Sequence, residues 1–361
     1  MLVEDGRAAA RDWVARHAAD ESWFRGAFFS GSAVWRGGSE PLPPWSDVDV
    51  RLVVADAIPA PGKFRHRGAL LDVSTVAEDA LGDADAVAAS WVTAPSFATD
   101  QVVADPTGRL RALHAAVAPI HADPAVVRRR CAAVVDTLSG RLAALDPQAP
   151  WHEQVLAWMF PSSLLTHVVL VADLRHPTVR LRYHAARDVL DAYGLPGVYR
   201  LLLELLGCAD VDASAVARRL DALAALFDRT VPVARTRFSF SGDITAEARP
   251  IAVDGSRMLV ADGDHREAVF WIVATAARCR QILAADAPEP LRSTAAAEFR
   301  DAVAELLGLH DTAGLLHRRE QVLAALPDVQ AAADAILARR GPSPRGMSPP
   351  KCQESHVPDV Q

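Results

Sequence analysis

Lysine is almost missing from this chain: only Lys63 and Lys351 occur, so 36 of the 38 basic residues are arginine. With the heavy alanine content this reads as a compositional bias and carries no function by itself. A basic excess is missing too. The formal net charge of -7 leaves no general cationic surface to displace counterions from a phosphate polymer, which argues against nucleic acid and for a small substrate. Cys131, Cys208, Cys279 and Cys352 lie far apart, form no C-x-x-C and have no histidine at metal-ligand spacing, so reduced thiols in a cytoplasm are expected. The first 19 residues contain no continuous apolar run of the kind a signal peptide needs. The apolar stretch 164–174 is roughly half the ~20 residues of a membrane crossing, and is expected to be a buried helix, with no membrane partner. H-E-x-x-H and G-x-S-x-G are also missing, which removes the usual zinc-protease and serine-hydrolase readings.

What is present is material for packed cores. Half of the 361 residues are hydrophobic, and a chain of this length favours two domains. A first boundary is expected near residue 122. Residues 7–19 read as an amphipathic helix, and Ala27-Phe28-Phe29 as a short strand leading into Ser30-Gly31-Ser32. Val48, Val50, Leu52 and Val54 alternate with Asp47, Asp49, Arg51 and Val53, the period of a strand. Pro59 to Gly62 break the pattern, and residues 69–76 form a second strand. From Asp123, a plausible N-cap followed by Pro124 at the first helical position, helical periodicity dominates. Further helices are expected at about 151–173, 178–192, 196–206 and 212–228, with Gly194 and Gly207 as stops. Alternation returns between 231 and 261, which predicts β-hairpins inserted into the helical region. Residues 341–361, rich in Pro, Ser and Gly, are expected to be a disordered tail.

The predicted fold class is therefore α+β: a small mixed-sheet domain over 1–122, then a helical-bundle domain over 123–340 with a short β insertion at about 231–261. Within the first part, strand alternation points Asp47 and Asp49 to one face while Val48 and Val50 bury on the other. Two carboxylates held together need a cation between them, and Mg²⁺ prefers such hard oxygen ligands. Asp72 adds a carboxylate inside the apolar strand Leu70-Leu71-Asp72-Val73. Three acids would then meet if the two strands are neighbours. Gly31 lets backbone approach phosphate oxygens, and the hydroxyl of Ser32 and the N–H groups of a following helix add donors.

Gly31-Ser32, then Asp47-Val48-Asp49-Val50, then Asp72 resembles the signature of the polymerase-β-type nucleotidyltransferase superfamily. Within it, a small domain followed by helices is similar to the kanamycin, aminoglycoside and lincosamide nucleotidyltransferases. The resemblance covers roughly residues 24–112 and includes Arg36, Ser46 and a turn like Asp105-Pro106-Thr107-Gly108. It departs in the loop 33–46, whose 14 residues are slightly more than usual and carry Gly37-Gly38 and Pro41 to Pro44.

The resemblance implies a cytoplasmic Mg²⁺-dependent enzyme that moves a nucleoside monophosphate, AMP from ATP first among them, to a hydroxyl of a small molecule such as an antibiotic. Asp47, Asp49 and Asp72 would be catalytic residues and metal ligands, and Gly31, Ser32, Arg36 and Ser46 would contact the nucleotide. Asp72 could bind metal, act as general base or do both, or it could be a strand-end residue that caps a turn or pairs with Arg67. Arg51 lies on the acid face as an ion-pair partner or a phosphate contact. Glu153, Asp173 and Glu204 are weaker candidate bases in the helical region, and Trp151, Trp158 and Trp271 read as core or interface. The rival functions are a non-catalytic nucleotide-binding or antitoxin-like interaction protein and nucleotidyl transfer onto a protein. For a small acceptor, a cleft is expected between the acid face and the helices after residue 150, with 231–261 as its lid or rim.

Overall fold

Alternating valines make β2 (Val48–Val54) a strand whose two faces belong to different cores, and this sets the position of everything else. The computed structural model describes residues 1–176 and 179–340. A first helix, α1 (Val3–His17), precedes β1 (Phe24–Ser30), and β2 is followed by β3 (Gly62–His66), β4 (Ala69–Ala77) and, later, β5 (Val102–Ala104). They form one five-stranded mixed sheet in the order β3-β4-β2-β1-β5. Only the β2–β4 pair is parallel. The expected neighbour relation of the two acid-bearing strands is therefore present.

Val48, Val50, Leu52, Phe29, Leu71 and Val73 bury one sheet face beneath Ala10 and Val14 of α1. The opposite face is divided. At one end, Phe28, Val53 and Val76 pack against Leu81, Val87, Phe97 and Leu110, which come from short helices α2 (Glu78–Leu81), α3 (Ala84–Ala89) and α4 (Arg109–Val117) and the turn at 94–97. At the other end the same face carries Asp49, Asp72 and Ser30, because residues two apart on a strand share a face. Along this face the charged row Ser30–Asp49–Asp72 gives way, past a mixed row of Phe28, Arg51 and Ser74, to the apolar pair Val53–Val76.

Asp123 accepts a hydrogen bond from Ala125 N at 2.7 Å, and Pro124 opens α5 (Pro124–Ala143) as the sequence predicts. Helices α6 (Trp151–Ser162), α7 (Leu165–Ala172), α8 (Arg182–Ala192), α9 (Pro196–Leu206), α10 (Ala213–Thr230), α11 (Gly255–Ala261), α12 (His265–Asp286), α13 (Glu289–Leu307), α14 (Thr312–Ala324) and α15 (Leu326–Arg339) follow. They share a large core that runs from Val127 to Leu337 and includes Trp158 and Trp271. Gly194 and Gly207 end their helices with left-handed backbone, φ 67° and 98°. The apolar stretches Trp151–Ala172 and His265–Asp286 are long enough to cross a membrane, yet most of each is covered by other parts of the chain.

The hairpins expected over 231–261 are not there. That segment contains 3₁₀ turns at Val231–Val233 and Ser241–Asp243, a π-helical turn at Pro250–Asp254, and α11. Thr236, Phe238 and Phe240 do alternate, but they find no partner strand among the described residues. Instead, Asp286 accepts from Arg235 N and Thr236 N at 2.6 and 2.8 Å, and the rings of Phe238 and Phe240 stack on each other at 5.2 Å. Two strands were also hidden from the periodicity. β3 is a short edge strand of sequence Gly-Lys-Phe-Arg-His, whose charged residues protect the edge and erase the apolar signal. β5 is only three residues long. The tail expected at 341–361 lies outside the described residues.

Candidate metal and nucleotide site

Strand register builds the site. Ser30 of β1 stands opposite Asp49 of β2, Asp49 opposite Asp72 of β4, and Asp72 opposite Lys63 of β3. A single row thus crosses four strands, and Asp47, two residues before Asp49, joins it on the same face. Carboxylate oxygens of Asp47, Asp49 and Asp72 lie within 4.8 Å of one another. These three are brought together as the sequence predicts.

Gly31 supplies the tightest constraint. Its backbone is left-handed, φ 61°, and a Cβ there would lie 1.9 Å from Asp49 Oδ2. No side chain fits. Glycine therefore both permits the turn out of β1 and lets the main chain press against the carboxylate. Ser32 is buried, and its Oγ is 3.4 Å from Ser46 Oγ, so the two predicted hydroxyls meet each other. The helix expected after them is only a four-residue 3₁₀ turn, Gly31–Val34. Arg36 donates to the carbonyl of Pro41 at 3.5 Å, within its own loop. Asp105 caps α4, accepting from Arg111 N at 2.9 Å, which makes that turn structural.

Lys63, which sequence reasoning passed over, is the cation of the cluster. Its Nζ lies 2.5 Å from Asp47 Oδ2, 2.5 Å from Asp72 Oδ2 and 3.4 Å from Asp243 Oδ1. Arg67 does not pair with Asp72. It turns to Asp12 at 2.8 Å. Asp243 comes from the helical region and is held by Arg278, Nη1 to Oδ2 at 2.8 Å. The arginine lies in turn over the rings of Phe160, Trp271 and Phe240. Asp49 differs from its neighbours: among the described residues its carboxylate has neither an ion pair nor a hydrogen bond. Burial, and then the charges of Asp47 and Asp72, push its carboxyl well above the usual carboxylate range. Burial also raises Asp72, against the pull of Lys63.

Arginines surround the acids at longer range. Arg51, on the acid face, makes no ion pair among the described residues, and burial lowers its pKa while Asp49 opposes the change. Arg180, buried beside α11 and donating to the carbonyl of Gly255 at 2.8 Å, is pulled down to about 10 by burial while Asp47 acts against that shift and Arg36 adds to it. Neither Arg180 nor Asp243 carried a local motif. Both reach the site from more than a hundred residues away, through packing alone.

The helical region therefore does face the carboxylates, through Asp243, Arg180 and the contact of His176 with Trp35 at 6.3 Å between ring centroids. The segment 231–261 reaches the cluster through Asp243, 3.4 Å from Lys63 Nζ. Two cavities lie elsewhere: an open groove of about 370 Å³ lined by Gly82, Asp83, Arg109 and Leu113, and a void of about 20 Å³ between α10, α12 and α13. Glu153, Asp173 and Glu204 are not in the row. Asp173 pairs with Arg175 and accepts from Tyr193, and Glu204 pairs with Arg200. Compared with known proteins, the chain matches no family model and no curated protein.

Proposed function

We propose that the chain is a Mg²⁺-dependent nucleotidyltransferase that moves a nucleoside monophosphate, AMP from ATP as the leading case, to a hydroxyl of a small molecule such as an antibiotic. The observation that carries this reading is Asp49: a crowded carboxylate without a protein cation, facing two more carboxylates, with a glycine backbone against it. Such a group fits a hard divalent ion. Purely structural acids are normally neutralised by their own chain.

Bound there, Mg²⁺ would supply charge neutralisation for a triphosphate and for the pyrophosphate that leaves it. The rest is positioning by the chain. Asp47 and Asp49 would hold the ion, the Gly31 turn would admit phosphate oxygens, and Arg51, Arg36 and Arg180 would balance the remaining negative charge. Asp72 has one oxygen committed to Lys63, while its other oxygen has no partner among the described residues. Raised by burial, it is suited to take the acceptor's proton as the new oxygen–phosphorus bond forms and the α–β bridge breaks. The acceptor would approach from the side that Asp243 and His176 border.

The test is incubation with each nucleoside triphosphate, Mg²⁺ and a panel of hydroxylated small molecules that includes aminoglycosides and lincosamides, read by mass spectrometry. The expected product carries one added nucleoside monophosphate and is missing with Asp49→Asn. A non-catalytic nucleotide-binding role has one observation in its favour, since Lys63 already neutralises part of the cluster. Binding of triphosphate with no adduct on any small molecule or protein would favour it.

A further inference from the structure

Lys63 stands in a chain that otherwise chooses arginine, and among the described residues it is the one lysine. Its place explains the exception. An ammonium is a compact charge with three donors, and three carboxylates, those of Asp47, Asp72 and Asp243, surround this one. A planar guanidinium would force Asp47 and Asp72 apart. The side chain is 6% exposed, with the sheet carboxylates of Asp47 and Asp72 on one side and Asp243 on the other, so the ammonium is enclosed from both the sheet and the helical region. Mg²⁺ needs its oxygen ligands at about 2.1 Å. An ion between Asp47 Oδ2 and Asp72 Oδ2 would occupy the space of Nζ.

We infer that Lys63 is the resident cation of this site: it holds the position between Asp47 and Asp72 and leaves room for a single divalent ion, on the side of Asp49. The inference rests on the metal-dependent reading above. Three carboxylates around one enclosed ammonium provide the opposite charge that a desolvated cation requires. Asp243, fixed by Arg278, occupies the third donor and makes the helical region a partner in holding the lysine. Lys63 is a positioning residue, because what it touches is the carboxylates.

The experiment counts bound Mn²⁺, used in place of Mg²⁺, by electron paramagnetic resonance on the full chain without nucleotide. Wild type should bind one ion per chain, and Asp49→Asn should bind none. Lys63→Gln should bind two. Two ions on the wild type would overturn the inference, and this count needs no variant to fold. One ion on both the wild type and Lys63→Gln, even a tighter one in the variant, would mean that the ion displaces the lysine, and would overturn the inference while leaving the transfer reading intact. No Mn²⁺ on the wild type would remove both.

Discussion

Two clusters of acids in this molecule are built on opposite terms. In the helical region, Asp264 and Glu267 share Arg187, whose Nη1 lies 2.6 and 2.9 Å from them, and Tyr199 donates to Glu267. His184 adds a further contact to Asp264 at 3.3 Å. Each acid there has a partner, as a buried charge requires. On the sheet, Lys63 serves three carboxylates and Asp49 is left without a partner among the described residues. On the reading proposed above, the difference separates charge that holds a fold together from charge kept in waiting. A cluster under-neutralised by its own chain relieves its repulsion by taking up a proton, as the raised affinity of Asp49 shows, or by taking up a cation.

The sharpest way to break the comparison is to remove the waiting charge. Asp49→Asn keeps the side-chain shape and relieves repulsion, so its melting temperature should equal or exceed that of the wild type, while transfer falls by about 10³-fold or more. Rates and melts on the same preparation check it. A folded variant that transfers at the wild-type rate would end the metal assignment.

Removing a paired charge should do the reverse. Glu267→Gln leaves Arg187 and Tyr199 facing a neutral amide inside a buried network, which should cost on the order of 3 kcal/mol of stability. Binding of Mn²⁺ should be unchanged. Denaturant unfolding and metal titration of this variant, set beside Asp49→Asn, would show stability and binding moving independently. If Glu267→Gln were as stable as the wild type, the network would not have the structural role assigned to it.

A third test supplies a divalent cation together with a nucleotide. ATP with Mg²⁺ at about a hundred times its dissociation constant should stabilise the native state by about 2.7 kcal/mol, since it binds only the folded chain. The rise in melting temperature should vanish with EDTA and in Asp49→Asn. Other triphosphates run alongside would identify the preferred nucleotide. No shift with any of them would leave the cluster without a nucleotide role.

The two clusters also differ in how far they could be read from the chain. Asp47 and Asp49 were visible because alternation on one strand fixes a shared face, and Asp72 because a carboxylate stands out in an apolar strand. Gly31 was visible as a place where backbone can approach phosphate oxygens, though not as a residue pressed against Asp49. Lys63 was passed over because β3 is short and charged, although its rarity was a signal that could have been used. Asp243 lies 180 positions from Lys63 in the sequence, and no local pattern encodes that meeting. The hairpin expectation at 231–261 failed for a related reason: alternation records which residues could share a face, not whether another strand is there to receive them. Arg130 makes the same point: one of three consecutive arginines, it is buried and donates to the carbonyl of His121.

The smallest expected effect concerns charge that burial keeps switched off. His152, at the start of α6, is buried, its Nε2 has no hydrogen-bond partner, and desolvation followed by the nearby Arg280 lowers its pKa to about 4. In the unfolded chain the ring should titrate near the ordinary value of about 6.5. Between these two values the unfolded state binds the proton and the native state does not, so stability falls as the pH drops through that window and levels off below it. The slope from one such histidine is at most about 1.4 kcal/mol per pH unit. His152→Gln should therefore lose less stability than the wild type between pH 7.5 and pH 5, by roughly 1–2 kcal/mol, with its stability at pH 7.5 affected mainly by packing. Urea unfolding of both proteins at the two pH values measures this directly. Equal losses would show that His152 is protonated in the native state, and that the helical region, like the sheet, tolerates a buried charge without a full set of partners.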